Sequence, residues 1–168
     1  MALSLSIKAG IRGNHTKALD LGTADFPVDV QALLTLTDGT GANQADRIFH
    51  DQRTLTASAT EDLDLAGSLT DAYGTTITMA KVKAILVKAA AANTNNVNVT
   101  RPASNGVPLY LAASDGVGIP PGGCLLLAAP GAAGLATVTG GTGDLLTFTN
   151  SAGGTSVTYD VVIIGTSA

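Results

Sequence analysis

Thr76–Arg101 reads TITMAKVKAILVKAAAANTNNVNVTR, and the fold class turns on whether its centre is strand or helix. Ile77, Met79, Ile85 and Val87 share one parity, while Ala80, Val82, Ala84 and Leu86 share the other. Val82, Ile85, Leu86 and Ala89 also fall at i, i+3, i+4 and i+7, the spacing of an amphipathic helix. Three features favour strand. β-Branched residues are frequent, the Asn-Thr-Asn-Asn run at 93–96 breaks the pattern, and Val97 and Val99 then alternate with polar neighbours. The stretch therefore predicts two strands joined by a polar turn. A strand that is apolar on both faces belongs in the middle of a sheet inside a sandwich or barrel.

Outward from this stretch, turn signals punctuate short alternating runs. Leu3, Leu5 and Ile7 alternate with serines, and Ala9–Leu21 is polar with no strong pattern. In Phe26–Thr37, Val28, Val30, Ala32 and Leu34 share a parity before the turn residues Asp38-Gly39-Thr40-Gly41. Downstream, Val107–Ala112, Cys124–Ala128 and Leu135–Thr139 are strand-like. The chain closes on a hairpin in which Leu146 and Phe148, then Val157, Tyr159, Val161 and Ile163, line up on single faces. No period of repeats is present. The expectation is an all-β, jelly-roll-like β-sandwich with an extended N-terminal arm: residues 1–25 as arm or edge strand, residues 26–168 as the sandwich domain. Val82, Ala84, Leu86, Phe148, Tyr159 and Val161 are expected in its interior.

Charge is distributed unevenly. All nine basic residues lie at or before Arg101, and after it only Asp115, Asp144 and Asp160 are charged. Such a C-terminal third reads either as a neutral Ser/Thr/Gly surface or as a face covered by another subunit. A net charge of −4 argues against a nucleic-acid grip, which needs a basic surface. The uncharged Val117–Val138 run is broken by three prolines and five glycines, so a membrane helix is not expected. No signal peptide is read at the N-terminus. The single cysteine, Cys124, rules out an intrachain disulfide, and its apolar setting suggests a buried, inert thiol.

Catalytic equipment is sparse. His50 and Asp51 are adjacent, which on a strand points them to opposite faces. Asp62 and Asp64 share a face but lack the surrounding loop of oxygen ligands that a cation needs. The glycine loops 39–41 and 140–143 lack the Lys-Ser/Thr of a phosphate-binding loop, and no Gly-x-Ser-x-Gly elbow occurs. No enzymatic activity and no metal or other cofactor is expected.

Lys81–Ala90, the polar turn and Asn95–Arg101, followed by Ile119–Pro130, Gly141–Gly154 and Val157–Gly165, resemble a series of motifs in phage virion proteins of jelly-roll type. The resemblance runs from about Asp38 to Gly165. It implies a structural protein of a tailed phage, made in the bacterial host cytoplasm and placed on the capsid exterior. The role implied is a capsid decoration (cement) protein, a homotrimer that binds the major capsid protein. A tail, neck or fibre component is the alternative within phage. A carbohydrate-binding module is the alternative outside it, although the absence of Trp removes the usual sugar platform. The expected contact residues are Lys8, Arg12 and Lys17 on a basic arm, Ile119, Leu125 and Leu127 in the uncharged run, and Val162 and Ile164 on the closing hairpin.

Overall fold

A computed structural model describes residues 2–168. The described residues are all-β and form eleven strands: β1 Leu5–Leu19, β2 Gly22–Leu36, β3 Arg47–Leu55, β4 Thr60–Asp64, β5 Lys81–Ala89, β6 Val97–Thr100, β7 Gly116–Ile119, β8 Cys124–Ala128, β9 Ala136–Thr137, β10 Leu145–Asn150 and β11 Val157–Thr166. Two antiparallel sheets make the sandwich. One has the order β4-β10-β6-β7, the other β3-β11-β5-β8 with β9 also on β5. β1 and β2 pair only with each other, in a two-stranded ribbon.

The deciding stretch is strand, as its composition suggests, but it is not a hairpin. β5 lies in one sheet and β6 in the other. Residues 90–96 carry the chain across the gap. The asparagines there bind the Asn150–Thr158 segment that makes the second crossing, since β10 and β11, expected as a closing hairpin, also lie in different sheets. Asn93 exchanges hydrogen bonds with the backbone of Thr158 at 2.9 Å in each direction, and the Asn95 amide donates to Asn150 Oδ1 at 2.9 Å. The polar cluster is thus a bridge between layers rather than a simple turn.

The two apolar parities of β5 serve different cores. Ile85, Val87 and Ala89 face the space between the sheets, where they join Val97, Val99, Phe148, Tyr159, Val161 and Ile163. Ala84 faces outward into a second, smaller cluster with Leu36, Ala45 and Ile164. Leu86, expected inside, shares that outward parity and is 38% exposed. A bulge explains why Val82 and Ile85, three residues apart, both reach the main core. Val82 pairs with Gly165 and Ala84 with Ile164, leaving Lys83 as the extra residue. Gly165 is required there: a Cβ would collide with the Lys81 carbonyl and the Met79 side chain.

Lys83 is 1% exposed. Its ammonium donates to the carbonyls of Gly41 (3.1 Å), Gly131 and Ala132 (3.3 Å), tying the loop after β2 to the loop after β8. Desolvation, helped by nearby Lys81, lowers its pKa.

Part of the charge-poor C-terminal third has an intrachain cause. β10 is flanked by β4 and β6, and β11 by β3 and β5, so both are central strands. Phe148 of β10 stacks on Tyr159 of β11 across the sandwich, with ring centroids 4.8 Å apart and planes at 6°. Val117–Val138 is not one patch: it supplies β7 to the edge of one sheet and β8 and β9 to the other. Cys124, at the start of edge strand β8, is exposed rather than buried.

Candidate interaction surface

The ribbon begins with a sequence that looked patternless. Its strands are joined by a two-residue turn at Asp20–Leu21, and fifteen residue pairs run without interruption from Leu5–Leu36 to Leu19–Gly22. At about 3.3 Å per residue it is roughly 50 Å long. Directly opposed residues project to the same side. One side carries Leu5 with Leu36, Ile7 with Leu34, Ala9 with Ala32, Ile11 with Val30, Gly13 with Val28, His15 with Phe26, Lys17 with Ala24 and Leu19 with Gly22. The other carries Ser6 with Thr35, Lys8 with Leu33, Gly10 with Gln31, Arg12 with Asp29 and Thr16 with Asp25. The ribbon is therefore amphipathic from its root to Phe26, and Lys17 interrupts the apolar side nearer the turn.

The boundary between arm and sandwich, expected at Phe26, falls after Leu36. Val28, Val30, Ala32 and Leu34 do share a face, but it is the ribbon's face and not the sandwich's. At the ribbon's root Leu5, Ile7 and Leu36 pack on the outer face of the five-stranded sheet, against Ile48, Ala84, Ala128, Val162 and Ile164. Further out the same face is bare: Ile11 is 74%, Val30 69% and Phe26 70% exposed.

Between the root and the sheet lies an apolar groove of about 360 Å³, lined by Leu5, Ile7, Lys8, Leu86, Leu126 and Val162 among others. Cross-strand register places Val162, Leu86 and Leu126 in one row across β11, β5 and β8. The next row, Asp160, Lys88 and Cys124, is its polar rim.

Of the residues expected to make contacts, Lys8, Val162 and Ile164 come together at this groove. Arg12 and Lys17 are exposed farther along the ribbon. Leu125 and Leu127 pack half-buried against the main core, on the inward parity of β8, and Ile119 is buried in that core. The ribbon is not basic either. Lys8, Arg12 and Lys17 are matched by Asp20, Asp25 and Asp29, and Arg12 lies 3.7 Å from Asp29. Leu86, Leu126, Ile11 and Phe26 went unrecognised. For the ribbon residues the signal is the odd parity of Leu5, Ile7, Ala9 and Ile11 matched against the even parity of Val28–Leu34 across a central turn.

The most charged cluster is internally satisfied. Arg53 bonds Glu61 through Nε at 2.7 Å and Asp51 through a terminal nitrogen at 2.9 Å, while the Tyr159 hydroxyl donates to Glu61 at 2.6 Å. His50 and Asp62 line the shallow depression beside it. Among the described residues no group of three or more His, Cys, Asp or Glu is placed to hold a metal ion.

Burial, reinforced by the bond to Glu61, raises the Tyr159 pKa far above its ordinary value. An unfolded tyrosine ionises near pH 10 while the native phenol keeps its proton, so above that pH the unfolded state binds fewer protons. Native stability should fall by about 1.4 kcal/mol per pH unit beyond about pH 10 on account of this group. Lys83 has the opposite sign, but its contribution ends near pH 10.5, where unfolded lysine also loses its proton. Urea unfolding measured from about pH 9 to about pH 12 should show the decline, with a shallower slope in Tyr159→Phe. An identical slope in that variant would assign the alkaline loss to another group.

Comparison with protein-family models, with curated proteins and with solved structures gives no match.

Proposed function

We propose that this chain is a non-enzymatic structural protein of a tailed-phage virion: a decoration protein on the capsid exterior that cements the shell by binding between major capsid subunits, and that acts as a homotrimer. The observation that carries the reading is the ribbon. A strand pair roughly 50 Å long, apolar on one face and exposed for most of its length, reaches well beyond its own sandwich. A protein that works alone gains nothing from keeping that surface in water. A protein that grips neighbours does.

Strand order adds support. With the ribbon and the two-residue β9 set aside, eight strands remain, and counting β3 as the first the sheets read 2-7-4-5 and 1-8-3-6. This order favours a jelly roll, an architecture shared by viral capsid and lectin domains. The lectin branch gains little here, because Phe148 and Tyr159 are buried and stacked on each other rather than presented to a sugar.

Immunogold labelling of virions of the phage that encodes the chain tests the assignment. Gold should lie over the head. Label on the tail or fibres would move the protein there, and unlabelled particles would remove it from the virion.

A further inference from the structure

We propose that the bare apolar face of the ribbon seats on the outer face of the five-stranded sheet of a second copy of this chain, in the groove beside that copy's own ribbon root. The inference deepens the self-association proposed above, on which it rests, and names the two surfaces that carry it.

The pairing is already present within one chain. The root of the ribbon's apolar face lies against Ile48, Ala84, Val162 and Ile164. Ile11, Val28, Val30 and Phe26 continue that face, and Leu86, Leu126 and Val162 continue the sheet side. Both halves extend one existing contact, yet they cannot meet in cis. The ladder is unbroken from root to turn, so the bare half is carried away from its own groove.

The area suits a second copy. The stretch from Ile11–Val30 to Leu19–Gly22 presents a face roughly 30 Å long and about 10 Å wide, apolar apart from His15 and Lys17. Counted on both surfaces, one such contact removes about 600 Å² from water: two reciprocal contacts in a dimer reach about 1,200 Å², the range of specific interfaces, and three around a closed trimer total about 1,800 Å², at about 600 Å² per interface. In a closed ring each chain likewise gives one ribbon and receives one. Charge permits it too. Three cations and three aspartates leave the ribbon neutral, so it approaches a chain of net charge −4 without repulsion.

Disulfide trapping tests the arrangement. With Cys124→Ser in every chain, Val30→Cys and Leu86→Cys proteins are purified separately, mixed and oxidised. Disulfide-linked heterodimers should exceed those from a mixture of Arg12→Cys and Leu86→Cys, whose ribbon cysteine is on the polar face, by about tenfold. Light scattering gives the second readout. At roughly 50 µM, where a micromolar contact is largely occupied, the unmodified chain should be multimeric and Val30→Lys monomeric with an unchanged thermal midpoint. A multimer that lacks the trapped pair, or that persists in Val30→Lys, overturns the ribbon contact and leaves self-association standing. A monomeric unmodified chain overturns both. Failed virion labelling touches neither result, so the capsid assignment stands or falls separately.

Discussion

Phe148→Ala should destabilise the protein by about 3–5 kcal/mol, the loss expected when a phenyl ring is removed from a closed core. Phe148 is fully buried and stacks on Tyr159, and the two rings join the central strand of one sheet to the central strand of the other. Its strand is pinned on both sides by β4 and β6, so the backbone has little freedom to collapse into the vacated space. The ring stack adds about 0.5–1.5 kcal/mol beyond area burial. Set against a typical domain stability of about 5–15 kcal/mol, the variant should have its urea midpoint reduced by roughly a fifth or more with the same denaturant dependence. Phe148→Leu, which keeps most of the volume, should recover over half of the loss. A loss below about 1 kcal/mol for the alanine variant would mean that the two sheets are not held together at this stack.

Lys83→Met should be the second most damaging change, at about 2–4 kcal/mol. Methionine matches the length of the stem and removes the ammonium, leaving the carbonyls of Gly41, Gly131 and Ala132 facing a methyl group. Those carbonyls belong to two loops that also meet through the Asn43 N–H and the Pro130 carbonyl, at 2.7 Å. Thr37, one residue past the ribbon, bonds to Asn43 and Ala45. The damage should therefore spread to the ribbon's foot. Hydrogen exchange at residues 37–45 and 129–135 should accelerate before the rest of the sandwich opens. If stability drops by less than about 0.5 kcal/mol and these amides keep their protection, water replaces the ammonium at the loops and Lys83 is not their fastener.

Legibility followed what each pattern reports. Val97–Thr100 and Val157–Ile163 alternate because one face of each is dry, and both were read correctly as strands. β5 was harder. A bulge at Lys83 breaks its parity midway, and a second apolar cluster on its outer side makes both faces hydrophobic. The same letters then fit a strand interior to a sheet and a strand with one face under a ribbon, and Leu86 was misplaced for that reason. The crossing from β5 to β6 was illegible because Asn93 and Asn95 suit a tight turn locally while their partners, Thr158 and Asn150, lie about 60 residues away.

Ala9–Leu21 was missed for a different reason. Most of its positions are exposed, so burial imposes no polar-apolar rule on it. What organises it is its register with β2, a relation between two segments that neither shows alone. Val162 and Ile164, expected on the apolar alternation of β11, line the groove on the outer side of that strand. Lack of charge alone does not separate an intersubunit surface from an intrachain one: the sandwich buries Ile119 and half-covers Leu125 and Leu127.

The placement of β10 and β11 also sets an order of assembly. β3 has no neighbour in its sheet other than β11, and β4 none other than β10. A chain growing from the ribosome can zip the ribbon early, since hairpins form within about 1–10 µs and its partners are close in sequence. It can also join β5 to β8 and β6 to β7. β3 and β4 must wait, with their hydrogen-bonding edges unpaired, until about 100 and about 80 further residues respectively have been made. Closure is then a single late, long-range event of the kind that makes β-rich proteins slow to fold. During that wait Phe49, Leu55 and Leu63, all buried in the finished sandwich, are without cover. The exposure of the nascent protein to aggregation is concentrated there, in a window that shuts when Leu145–Thr166 arrives.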